Sequence, residues 1–179
     1  KKGYQVSDYT RSALDTLQPS PAQPFAWFSA AEEPASVLDG RFYLPVAAGI
    51  APAFLKKRSD KGFFLMLEGS QIDWACHKND GNWAICEMLD FDRAIQEILR
   101  FAKADGETLV IVTADHETGG MSIVQNSVMD TLEIQFTTNG HTAALVPVFA
   151  YGPGAELFNG VYENTDIYVK IKELMSGKP

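Results

Sequence analysis

Apolar positions in this chain follow two patterns, short continuous runs and helical repeats. The runs "FFLMLEG" (63–69), "TLVIVTA" (108–114) and "ALVPVFAYG" (144–152) read as buried strands of a parallel sheet, since both faces must be apolar. Ile85, Met88, Leu89, Ala94, Ile95, Ile98, Leu99 and Ala102 recur at three- and four-residue steps and predict a long helix. Asp80 caps its start and Gly106 follows its end. "NTDIYVKIKELM" predicts a closing amphipathic helix, with Ile167, Ile171, Leu174 and Met175 on one face and Asn164 or Thr165 as cap. Near the start, "GYQVSDY" predicts a short strand and "RSALDTL" a helical piece. Residues 18–48 carry five prolines and no sustained period, so they predict a loop-rich connection with one strand in "FAWF". "IAPAFLKKRS" predicts a helix ending before Gly62. Strands alternating with helices give an α/β protein with a mostly parallel central sheet flanked by helices, in a single domain over 1–179.

Composition narrows the function classes. Hydrophobic content of 46% and charged content of 21% are those of a globular chain with a sizeable core. A net charge of −8 and the lack of a basic stripe argue against a nucleic-acid partner. No apolar run approaches the ~18–20 residues of a membrane span. No signal peptide is visible, and "KKGYQVSDYT" reads straight into structure, as the interior of a longer protein would. Cys76 and Cys86 lie across a helical region, which disfavours a disulfide and makes them small core residues.

The candidate chemistry gathers at strand ends, where open α/β sheets bind ligands. "FFLMLEG" ends in Glu68, and "LVIVTA" runs into Asp115 and His116. Asp73 and His77 are spaced i, i+4, which puts them on one face of a helical turn. His141 precedes the third run. Each residue alone has a bland explanation, as a cap or a solvated side chain. Three histidines and three carboxylates near strand ends are harder to dismiss, because burying them together needs a cation. Imidazole with carboxylate suits Zn²⁺, and Glu68 alone suits the harder Mg²⁺.

"GFFLMLEGSQIDWACH", "DFDRAI", "TLVIVTADHETGG" and "GHTAALVPVFAYGPGA" together resemble the carboxyl-terminal half of a bacterial alkaline phosphatase. The resemblance runs with gaps from about Gly3 to Met175 and is densest from Gly62 to Gly154. It implies an alkaline-phosphatase-like fold that acts on small phosphate monoesters through a phosphoserine intermediate, with two zinc ions and one magnesium. Asp73, His77 and His141 match ligands of the first zinc, Asp115 and His116 of the second, and Glu68 of the magnesium. It also implies export, to the periplasm or as a secreted protein, and leaves a homodimer open. The 24 residues at 117–140 would be a short crown-like insertion, too small for an extensive dimer contact. Trp74 stands where some relatives carry a Lys or His that contacts phosphate through water.

Other family parts have no match here: a strand ending in Gly-Asp-Gly, an Asp-Ser-Ala nucleophile and a phosphate-clamping Arg. Ser12 lacks the preceding Asp and does not fill the nucleophile's place. The chain is thus expected to be part of a longer enzyme, with the serine upstream and little or no activity alone. Two other readings stay open: a phosphodiesterase- or sulfatase-type metallohydrolase, and a non-catalytic zinc-binding module.

Overall fold

The structure, a computed structural model, describes residues 3–177. They fall into two compact units that part between Phe101 and Ala102.

The first unit opens with β1 (Gln5–Asp8) and β2 (Phe25–Phe28), paired in parallel from Gln5↔Phe25 to Asp8↔Phe28. Helices α1 (Tyr43–Lys56), α2 (Gln71–His77) and α3 (Gly81–Asp105) follow. Leu44 and Ala48 of α1 and Ala94 of α3 form the buried core, with Tyr43, Leu67, Phe91 and Ile98 packed around them. Alanine at two of these three positions leaves room for close packing. Asp80 caps α3 as expected, its Oδ1 accepting the Trp83 N–H at 2.9 Å. Gly106 follows with φ +74°, the left-handed conformation that ends a helix at least cost to glycine.

Several expectations need correction. The connection at 18–48 is shorter than its prolines suggest, because α1 already starts at Tyr43. Pro45 lies in the first turn of that helix, where amides have no intrahelical acceptor. The helix ends at Lys56, before Gly62 as expected. Residues 63–68 alternate in burial but form no strand ladder among the described residues, and Phe64 and Met66 are exposed. Met88 and Leu89, assigned above to the apolar face of α3, are also exposed.

In their place α3 buries Glu87 and Asp90. Both face Arg41, which forms an ion pair with Glu87 and lies 3.3 Å from Asp90. Glu87 Oε1 also accepts the Val37 N–H at 2.9 Å and the Trp83 indole N–H at 3.0 Å. The pull of one buried guanidinium explains the inversion, since a buried charge must be paired. Gln71 of α2 donates to the carbonyls of Pro34 at 2.8 Å and Ala35 at 3.2 Å, so segment 34–41 is tied to both α2 and α3. Neither cysteine is in a disulfide, and Cys76 is buried and Cys86 half-buried, in line with the core reading.

The second unit holds β3 (Val110–Val112), β4 (Glu117–Thr118), β5 (Ser122–Ile123), β6 (Ile134–Gln135), β7 (His141–Thr142), β8 (Phe149–Tyr151) and α4 (Asn164–Ser176). β3 pairs with β8, β4 with β7 and β5 with β6, all antiparallel. The α/β class holds. Among the described residues, however, the parallel pairing expected of the sheet occurs in β1–β2 alone. The strands are also shorter and less buried than their apolar runs imply: Leu145 and Phe149 are exposed, and Pro147 has no N–H for a ladder. The N-cap of α4 is Glu163, not Asn164 or Thr165, and its side chain makes no capping bond. Leu174 packs over Gly154, where an added Cβ would lie 2.9 Å from Leu174 Cδ2. Met175 is exposed. Among the described residues no helix is long and apolar enough to cross a membrane.

Candidate metal centre

In the first unit the chain reaches α2 through Gly69. A Cβ there would stand 3.0 Å from the Phe91 ring and 3.1 Å from Ile72 Cδ1, so glycine lets the backbone come close to α3. One turn of α2 then sets Asp73 beside His77, with Oδ2 3.4 Å from Nε2. Both side chains are about a third exposed, at 33% and 38%, which leaves them open to a ligand. Glu68, just before Gly69, is exposed.

In the second unit β3 delivers the chain to Asp115 and His116. Asp115 Oδ2 lies 3.2 Å from His116 Nε2. Thr118 Oγ1 lies 3.2 Å from the other ring nitrogen, Nδ1. The ladder register sets Thr118 opposite His141 and Glu117 opposite Thr142. That register brings the His116 and His141 rings into a stack, with centroids 3.6 Å apart and planes inclined by 20°. Behind it the chain turns sharply. Gly119 donates to the Gly140 carbonyl at 2.9 Å and accepts from Thr137 N and Thr138 N at 3.0 and 3.2 Å. Gly120 has φ +57°, and a Cβ there would meet Thr137 Oγ1 at 1.9 Å, so only glycine fits.

Each unit thus joins imidazole nitrogen to carboxylate oxygen at contact distance. That is the donor chemistry of a zinc ligand set, and the residues present fit such an ion. Thr118 and Glu117 escaped the sequence analysis. Their signal was adjacency to His116 in "DHETGG", but only the β4–β7 register shows what they touch.

The chain is similar to known alkaline phosphatases in sequence and fold. The alkaline phosphatase family profile matches residues 48–135 and 123–176. Alkaline phosphatase 4 of Bacillus subtilis is 34% identical, the match spanning 68% of this chain and 41% of that protein. Alkaline phosphatase 3 of the same organism is 31% identical, over 93% of this chain and 51% of its own length. The solved alkaline phosphatase from the Antarctic bacterium TAB5 is 39% identical with a TM-score of 0.84, covering 97% of this chain and 52% of that one. A TAB5 variant with Asp in place of a histidine has Mg bound in its M3 site. The cold-active alkaline phosphatase of Shewanella sp. is 26% identical with a TM-score of 0.83, over 97% of this chain and 60% of its own. The chain therefore spans about half the length of the relatives it matches. With the motifs, the fold and the family profile in agreement, the chain belongs to the alkaline phosphatase family.

Proposed function

We propose that this chain supplies metal ligands to a phosphomonoesterase acting on small phosphate monoesters. The observation that carries the reading is the stacked pair His116–His141 beside Asp115, within the segments that match the family. The ligand assignment follows the family resemblance: Asp73, His77 and His141 for one zinc, Asp115 and His116 for a second, Glu68 for magnesium. Bound divalent ions supply Lewis-acid stabilisation of the attacking and leaving oxygens in an in-line phosphoryl displacement.

The chain's own residues do the holding. Asp115 and His116 sit at the end of β3, fixed by the turn at Gly119 and Gly120. Asp73 and His77 are set at one helical turn by α2, so their spacing does not depend on a flexible loop. The nucleophilic serine is assigned to a part of the family outside this chain, and the chain alone is accordingly inactive or nearly so. Periplasmic export and homodimerisation belong to the same reading.

Zinc stoichiometry by mass spectrometry on the desalted chain tests the assignment, with His77→Ala as control. About one tightly held zinc per chain, lost in the control, supports it. No retained zinc counts against a preassembled site. Robust zinc-dependent turnover of p-nitrophenyl phosphate by the chain would overturn the assignment of the nucleophile elsewhere.

A further inference from the structure

Glu117 directly follows two assigned ligands, yet its carboxylate is engaged elsewhere. Oε2 accepts the Gly120 N–H and Oε1 the Met121 N–H, each at 3.2 Å. The Thr142 hydroxyl donates to Oε2 as well. Three protein donors thus converge on one half-buried anion, and charge-assisted bonds of this kind are the stronger ones. The two elements they join matter. Gly120 and Met121 follow the His116 segment, whereas Thr142 is the neighbour of His141. The β4–β7 ladder is only two residue pairs long, too short to hold its register by main-chain bonds alone.

We propose that Glu117 is a positioning residue. Its carboxylate bolts the His141 strand to the Gly119–Gly120 turn and so sets the His116–His141 stack, and with it the two divalent-metal sites to which these histidines are assigned. Glu117 is not itself a ligand, since its oxygens are already occupied by N–H and O–H donors. The inference rests on the metal-site reading of the two histidines. It goes beyond that reading by naming the group that ties the two histidine segments together. The stack joins two imidazoles from segments 25 residues apart, their centroids 3.6 Å apart.

The first measurement is made on the metal-free chain. Nuclear Overhauser contacts between the His116 and His141 ring protons report the stack. In Glu117→Ala these contacts vanish, while amide shifts in β1, β2 and α1 stay as in the wild type. Thr142→Val removes one of the three donors and weakens the ring contacts, and Thr142→Ser, which keeps the hydroxyl, restores them. The second measurement is zinc affinity by chelator competition. The expected loss in Glu117→Ala is about 10- to 100-fold, the usual cost of removing a group that orients a metal ligand.

Ring contacts unchanged in a folded Glu117→Ala overturn the proposal. If that variant is too disturbed to fold, Thr142→Val decides in its place: unchanged ring contacts there overturn it equally. A wild-type chain that keeps its ring contacts but takes up no zinc sinks the metal reading. In that case Glu117 still stands or falls as the organiser of the histidine pair by the ring contacts.

Discussion

The imidazole of His116 lies flat against that of His141, 3.6 Å away and nearly parallel, with Thr118 Oγ1 at one of its nitrogens and Asp115 Oδ2 at the other. The Thr118 hydroxyl can accept from Nδ1–H, which leaves Nε2, the nitrogen beside Asp115, with its lone pair free for an ion.

Thr118 is nearly buried at 7% exposure, so its hydroxyl cannot be replaced by bulk water. Thr118→Val is expected to weaken zinc binding by about 10- to 100-fold, and Thr118→Ser to retain most of it. Competition against a fluorescent chelator checks both. Equal affinity in all three proteins refutes the role.

Metal binding must also appear as stability. A ligand that binds only the folded chain at 100 times its dissociation constant stabilises it by about 2.7 kcal/mol. Added zinc should therefore raise the unfolding midpoint and a chelator should reverse the gain. His116→Ala should respond to neither. A midpoint indifferent to zinc in the wild type argues against a folded-state site.

Away from the histidines, Arg41 pairs with both Glu87 and Asp90, whose side chains are 1% and 4% exposed. Arg41→Met removes the cation paired with both buried carboxylates, and breaking a buried ion pair typically costs about 3–5 kcal/mol. Urea unfolding measures it. The two contacts differ in quality: Asp90 Oδ2 is near the guanidinium yet accepts no hydrogen bond, so most of the loss should come through Glu87.

Asp90 should also leave a mark on the pH dependence of stability. Burial raises its carboxyl above the ordinary 3.8, with Arg41 and Arg93 opposing and Glu87 reinforcing the shift. The folded chain then binds this proton more tightly than the unfolded chain. Its contribution falls as pH rises from about 3.8 towards the raised value. Asp90→Asn is expected to be more stable than the wild type at neutral pH, with the gap closing as pH drops towards the ordinary value. A gap that widens in acid would reverse the sign and refute the account.

Much of the architecture was legible because periodicity and capping act locally. Helix α3 was readable from its repeats, and Asp80 does cap it; "FAWF" is a strand as its composition suggests. What could not be read depends on partners distant in sequence. Nothing near Glu87 announces that Arg41, 46 residues earlier, will draw it inward and turn Met88 and Leu89 out to solvent. The apolar run at 63–68 promised a buried strand, but a ladder needs a neighbour and spacing cannot supply one. The same holds for the site. Asp73 and His77 could be paired from i, i+4 spacing alone, whereas the roles of Glu117 and Thr118 depend on a register that joins residues 25 apart.

That register separates two kinds of sequence change. From Met121 to Phe136 the chain leaves the histidine pair and returns, and the Gly119–Gly140 contact ties off its base. Length there is nearly a free variable, since doubling a loop costs only about 0.6 kcal/mol in closure entropy. Between His116 and Thr118 there is no such freedom. One residue inserted there would send alternate side chains to the opposite face and aim His116 away from His141. Lineages of this chain can therefore rebuild the β5–β6 hairpin at will, while the few residues at its root must be inherited intact.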